Sequence, residues 1–261
     1  MSDYVIPEIK ATEAEMISLR HYLHANPELS LEEFNTSELV ASKLTEWGYQ
    51  VTRGLGKTGV VGSLSKGDSP RTIGLRADMD ALPIEETTGL PWASTVSGKM
   101  HACGHDGHTT ILLAAAKYIA SPACQFNGTV HLIFQPAEEA IGGADLMIKD
   151  GLFEQFPCER IFGLHNMPGL PVGKLGFYAG NFMASADTVK ITLTGYGGHG
   201  AHPERTVDPI VAGAALVMAL QSIVARNVPP GETAVVSVGT FQAGIASNVI
   251  PESAVMELSV R

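Results

Sequence analysis

Along the first part of the chain, apolar residues recur first at helical and then at strand spacing. Thr12 with Glu15 fits a capping box, and the apolar-spaced run behind it predicts a helix to Leu23. Ser30 with Glu33 fits a second, opening a helix through Leu39, Val40, Leu44 and Trp47 that Gly48 would stop. Short β-branched runs at 60–64 and 72–77 predict strands. A helix over 109–120, a strand over 128–135, a helix over 143–149 and a strand over 160–164 come next. Strands alternating with helices point to an α/β layer on a largely parallel sheet.

The pattern changes near residue 184. The segment DTVKITLT (187–194) places Val189, Ile191 and Leu193 on one face, the period of a half-buried strand. Asp208-Pro209 then supplies an N-cap and a first-turn proline for a helix running to about Arg226. Strand-like runs at 233–240 and 254–260 complete a β-α-β-β order, the first two-thirds of a ferredoxin-like split βαβ unit. Two domains are therefore expected. One is an α/β domain over 1–183 with its C-terminal part missing, and the other a smaller α+β domain over 184–261, also incomplete.

Composition narrows the class. Of 261 residues 45% are hydrophobic and 17% charged, below the roughly 25% charged of average soluble chains, so much of the sequence is built to be buried. A chain this long buries roughly 70% of its unfolded surface without disulfides. The net charge of -10 argues against nucleic acid or an anionic membrane as partner. Three irregularly spaced cysteines make no disulfide framework, which fits a reducing, cytoplasmic setting. The N-terminus lacks the basic and apolar regions of a secretory signal. The most apolar stretch, 210–220, is short for a bilayer span of roughly 20 residues and is expected to be a buried helix.

The densest chemical signal is HACGHDGH, from His101 to His108, directly before an apolar helix. Imidazole and thiolate are good ligands for zinc-class metals, and Cys103-x-His105 can set two donors around one ion. In FQPAEE the strand is followed at once by Glu138 and Glu139, whose side chains diverge, so that one carboxylate can ligate metal while the other handles a proton. A further strand ends in His165, and another in Asp78 and Asp80, which can orient a ligand or cap the following turn. Ligand sites in open α/β sheets gather at strand carboxyl ends. Mixed hard and soft donors there suggest metal-assisted hydrolysis, with a metal-activated water and a carboxylate as proton shuttle. No Walker loop and no G-x-S-x-G elbow is present.

The strings LRADMDALP (75–83), HACGHDGH, FQPAEE (134–139), GLHNMP (163–168), GGHGAHPE (197–204) and SNVIPE (247–252) run through the chain in order. In them the sequence resembles the hippurate hydrolase and N-acyl-amino-acid amidohydrolase branch of the two-metal aminoacylase/carboxypeptidase family, to which auxin-conjugate hydrolases also belong. The resemblance implies a two-metal α/β hydrolase domain with an inserted ferredoxin-like lid and dimerisation domain, truncated here. It implies two divalent ions per subunit (Zn, Mn, Co or Ni) held by Cys103, His105, Glu139 and His165, with Glu138 as general base and Asp78 and Asp106 orienting the ligands. Arg76, standing where other branches place a histidine ligand, is not expected to bind metal. His199 resembles the lid histidine that polarises the substrate carbonyl, and Asn248 the lid residue that holds the substrate carboxylate. His202 either assists or caps the turn at Pro203.

The resemblance further implies an N-acyl-amino-acid substrate, a homodimer or higher homo-oligomer through the lid, and one more histidine ligand from beyond Arg261. A metallo-dipeptidase or carboxypeptidase with the same centre is the nearest alternative, and a non-catalytic metal-binding dimeric fragment the next.

Overall fold

The computed structural model describes residues 5–139, 142–180 and 183–261; the first four residues of the N-terminal segment inspected for a secretory signal lie outside these. By internal contacts the chain divides into two compact units, at Gly169/Leu170. This division precedes the change of pattern near 184, because the described residues of 170–186 form neither helix nor strand and group with the second unit.

The first unit contains α1 (Pro7–Lys10), α2 (Glu13–Ala25), α3 (Phe34–Glu46), β1 (Gln50–Leu55), β2 (Gly59–Lys66), β3 (Thr72–Asp78), α4 (His105–Ala120), β4 (Gly128–Gln135), α5 (Gly143–Lys149), α6 (Leu152–Gln155) and β5 (Arg160–Gly163). Its five strands form one sheet in the order β1-β2-β4-β3-β5. The parallel expectation holds for β3, β4 and β5. The sheet as a whole is mixed, because β1 and β2 form an antiparallel hairpin and β2 joins β4 antiparallel. The sequence pattern missed β1, whose burial shows no clean alternation.

Alternation on β2 and β4 builds a core on each face. Val60, Leu132 and Phe134 pack with Val40 and Leu44 of α3 and Leu113 of α4. Val61 and Ile133 point the other way, onto Met147 and Leu152. Both strands are apolar on both faces, as a sheet covered on two sides requires. The link from β3 to β4 spans 79–127 and carries α4.

Neither expected capping box forms. The Thr12 hydroxyl donates backwards to Ile9 O rather than accepting from its own helix. Helix α3 begins at Phe34, with its Asn35 and Thr36 amides capped by the Glu28 carboxylate at 3.0 and 2.8 Å. Ser30 and Glu33 are drawn inward instead: the Ser30 hydroxyl donates to Asp80, and Glu33 is fully buried. Gly48, at φ +86, does end the helix.

The second unit holds β6 (Asp187–Thr194), β7 (Gly198–His199), α7 (Pro209–Asn227), β8 (Val236–Ala243), β9 (Val249–Ile250) and β10 (Ser253–Val260). β6 and β8 both pair antiparallel with β10, which lies between them, so β6–α7–β8 spans a strand as a split βαβ unit does. Asp208 caps α7 as expected, accepting from Ile210 N and Val211 N.

The helix ends at Asn227, close to the expected Arg226, but the expectation that its apolar stretch is buried is corrected: the 19-residue helix as a whole is long and apolar enough to cross a membrane by length and composition. Only Pro209 and Gly213 of it are buried. Gly213 lies where any side chain would meet the Phe241 ring at 2.5 Å, and that close approach is how α7 seats on the sheet.

Candidate metal centre

Strands β3, β4 and β5 run parallel, so their carboxyl ends open on one edge, and α4 starts there with His105 as its first residue. Gly104 makes this junction possible. Its φ is +89, and a Cβ would lie 2.6 Å from Asn166 Oδ1, so a glycine is required between the two donors Cys103 and His105.

Three groups of donors converge at this edge: Cys103 with His105 and His165, His105 with Glu138 and Glu139, and Asp78 with His105 and His108. In each, the ligand atoms lie within 4.8 Å of one another, and His105 belongs to all three. Cys103 Sγ stands 3.4 Å from His165 Nε2, and His105 Nε2 stands 3.7 Å from Glu139 Oε1. Two nitrogen or oxygen ligands about 2.1 Å from one tetrahedral ion lie about 3.4 Å apart. The four ligands implied by the resemblance are thus brought to one place, beside Glu138.

Hydrogen bonds fix which nitrogens face the centre. His105 Nδ1 donates to Asp80 Oδ1 at 3.2 Å and His165 Nδ1 to Asn166 O at 2.6 Å, leaving both Nε2 atoms with lone pairs free. His105 Nε2 and Glu139 Oε1 are buried with no hydrogen-bond partner. Burying two such atoms unsatisfied is costly, and a shared cation is the partner that both an imidazole lone pair and a carboxylate accept.

Cys103 would join such a cation as its thiolate. Burial first, then the hydrogen bond to Glu139 and the charges of Glu139, Glu138 and Asp78, push its pKa up to about 12, so a thiolate there needs a nearby cation. The donor set therefore fits divalent metal.

The third group is different in kind. His108 Nδ1 is bonded to Asp78 Oδ1 at 2.7 Å, and its Nε2 accepts from Asn166 N at 3.0 Å, so neither nitrogen is free to ligate. His108 instead ties β3 to the segment that carries His165. Burial opposes the charge of Asp78, but the His108 hydrogen bond and the charges of Arg76, His105 and His108 outweigh it and hold its pKa at about 2. Arg76 accordingly serves Asp78, at 2.6 Å, and Gln135, at 2.8 Å.

Asp80 both orients the His105 imidazole and holds a turn together. Besides His105 it accepts from Ser30 Oγ at 2.7 Å, Glu138 N at 3.0 Å and Glu139 N at 3.1 Å. One carboxylate thus positions a histidine donor and the turn bearing both glutamates. Burial works against its charge, yet these bonds lower its pKa. Asp80→Ala is expected to weaken metal binding about 10–100-fold, the usual cost of losing such a partner. Competition against a chelator of known affinity measures it.

Asp106 stands elsewhere than expected. Its Oδ2 accepts from Arg20 Nε at 3.1 Å and pairs with His24 Nδ1 at 3.0 Å, and His24 Nε2 reaches Glu86 at 3.3 Å. This network ties α2 to the start of α4 and to the segment after β3. His101, buried beside it, has a pKa lowered to about 4, chiefly by burial.

In the second unit His199 and Asn248 are neighbours. β7 pairs with β9 through His199↔Val249, and Gly200 N donates to Asn248 O at 2.8 Å. His199 Nδ1 accepts from Ala201 N at 3.1 Å, so Nε2 carries the proton and can donate. Both side chains are exposed. His202 precedes the helical turn Pro203–Arg205 without capping it, its Nδ1 3.3 Å from Glu204.

Known proteins are similar to this chain. The chain is 55% identical over 257 residues to a hippurate hydrolase of Campylobacter jejuni, covering 98% of this chain and 67% of that one. It is 44% identical over 253 residues to an N-acetyl-L-cysteine deacetylase of Bacillus subtilis, covering 97% and 60%. Among solved structures, a dinuclear metal binding peptidase of the M20 family from Bacillus subtilis superposes with a TM-score of 0.73 at 39% identity, covering 97% of this chain and 65% of that one. The chain thus spans about two thirds of the length of these relatives. The pattern of peptidase family M20/M25/M40 matches residues 74–259. That stretch runs from β3 through every donor named above into the last strand of the second unit, and the chain belongs to this peptidase family.

Proposed function

We propose that the protein is a metal-dependent amidohydrolase that cleaves the amide of N-acyl-amino acids, hippurate-like or N-acetyl, to a carboxylate and a free amino acid. The observation that carries this reading is the convergence of Cys103, His165 and Glu138 on His105 Nε2 and Glu139 Oε1, two buried atoms without partners. Divalent ions held by Cys103, His105, Glu139 and His165, two per subunit and drawn from zinc, manganese, cobalt or nickel, would supply an activated water at neutral pH and polarise the scissile carbonyl.

Glu138 takes the proton of the attacking water and returns it to the leaving amine. Burial and the charge of Glu139 raise its pKa, toward the range a general base needs. His199 donates from Nε2 to the carbonyl oxygen as negative charge develops. Asn248 holds the substrate carboxylate beside it. The second unit is the lid and forms the homodimer contact. The protein works in the cytoplasm, a placement its three free cysteines support, and the charge of -10 favours neither nucleic acid nor membrane as partner.

The test is a panel of N-benzoyl- and N-acetyl-amino acids and dipeptides, assayed with the complete protein before and after chelation. Hydrolysis of N-acyl-amino acids, lost on chelation and restored by one of the four ions, is expected. Preference for dipeptides would instead make it a dipeptidase or carboxypeptidase. Silence of the metal-loaded protein would leave a non-catalytic metal-binding module.

A further inference from the structure

Between the end of β4 and Glu138 stands Ala137, fully buried, with φ +50. A residue with a Cβ adopts this left-handed conformation only when its surroundings impose it. Here the imposing group is visible. Ala137 N donates to Glu33 Oε1 at 2.8 Å, and Ala137 O accepts from Gly143 N at 2.8 Å. The Glu33 carboxyl is itself fixed from outside the metal centre, because Glu33 leads into α3 and its Oε2 accepts from Thr58 Oγ1, just before β2, at 2.6 Å. Three successive amides, Ala137, Glu138 and Glu139, thus end on two buried carboxyls, Glu33 and Asp80.

We propose that Glu33 is a positioning residue for Glu138: by holding the Ala137 amide it keeps residue 137 left-handed, so that the chain leaves the β4 pleat and Glu138 meets the donor cluster. Were the strand to continue, 137 and 139 would share one face and 138 would take the other, and the spacing of Glu138 from Glu139 would be that of a pleat. The reversal at Ala137 removes that constraint. The proposal rests on Glu138 being the general base.

The variants are Glu33→Met, which keeps the length of the side chain and removes the acceptor; Glu33→Gln, which keeps an acceptor for Ala137 and offers its amide to the Thr58 hydroxyl; and Ala137→Gly. All are made in the complete protein. Turnover, metal content, melting temperature and hydrogen exchange at the Ala137 amide are measured together. Glu33→Met is expected to lower kcat per metal-loaded chain about 10²-fold, the scale of an ångström-sized misplacement of a reacting group, with KM unchanged, the Ala137 amide unprotected and metal held less tightly through Glu139 on the same turn. Glu33→Gln should stay close to wild type. Adding Ala137→Gly to Glu33→Met should recover much of the lost kcat, because glycine takes the left-handed conformation without the hydrogen bond.

A lower melting temperature with unchanged kcat per metal-loaded chain would overturn the proposal, as would loss of kcat that glycine does not relieve. Should Glu33→Met not fold, Glu33→Asp, whose carboxyl is withdrawn by one methylene, is expected to show the same loss and the same rescue; wild-type turnover in it overturns the proposal. If the wild-type protein hydrolyses no N-acyl-amino acid, the functional reading fails by itself. Exchange at the Ala137 amide in wild type against Glu33→Met still decides whether Glu33 holds the turn.

Discussion

Glu138→Gln is expected to lower kcat by about 10²–10⁴-fold, the contribution of a positioned general base, while KM and metal content stay near those of the wild type. The substitution is nearly isosteric. It leaves the Glu138 amide on Asp80 and the Glu139 carboxylate on its own side of the turn, so the architecture that holds metal is untouched. What it removes is a carboxylate beside His105 that can carry a proton without giving up a ligand, since Glu139 Oε1 is buried against His105 Nε2 and Asp78 is tied to Arg76 and His108. Steady-state kinetics beside elemental analysis of the same samples measure the effect. Near-normal turnover with a full metal complement would remove Glu138 from the reaction.

His105→Ala is expected to abolish both metal binding and activity. Among the described residues no other belongs to all three donor groups, and its Nδ1 is also the imidazole partner of Asp80. Losing it removes the Nε2 donor at the middle of the cluster and frees the Asp80 carboxylate from one of its four partners. Removing Cys103 or His165 takes a donor from one group alone, so Cys103→Ala should retain part of the metal. Elemental analysis after reconstitution is expected to give close to two ions per chain for the wild type, fewer for Cys103→Ala and none for His105→Ala. Two ions retained by His105→Ala would place the centre elsewhere. Both variants should still fold, because the packing of Val60, Leu132 and Phe134 on α3 and α4 involves none of these donors.

The donors were legible because their residue types are rare and their positions regular. A cysteine and histidines in eight residues, a glutamate pair after a strand and a histidine after another can be read without any geometry, and the parallel strands β3, β4 and β5 deliver them to one edge. Hidden from the sequence were carboxyls whose context has a more ordinary explanation. Ser30 and Glu33 satisfy the spacing of a capping box, yet Glu28 caps α3 and frees both to turn inward. Asp106 sits beside the donor His105 in sequence but, as the second residue of a helix, points toward α2. Which face such a residue takes is set by helix phase and by partners tens of residues away, and a local pattern carries neither. β1 escaped for a related reason: an exposed hairpin strand shows no strong period.

The crossover between β3 and β4 also has a consequence in time. Asp78 pairs with Gln135 across parallel strands, and the whole of 79–127, with Cys103 and His105, lies in the connection. Parallel pairs close late in folding because the entropy of a long loop must be met before the contact returns anything. During synthesis the ribosome releases Cys103 and His105 as a two-donor fragment while Glu139 and His165 do not yet exist. Two donors retain a divalent ion far more weakly than four, so an ion held by all four would be loaded only after both β4 and β5 have joined β3.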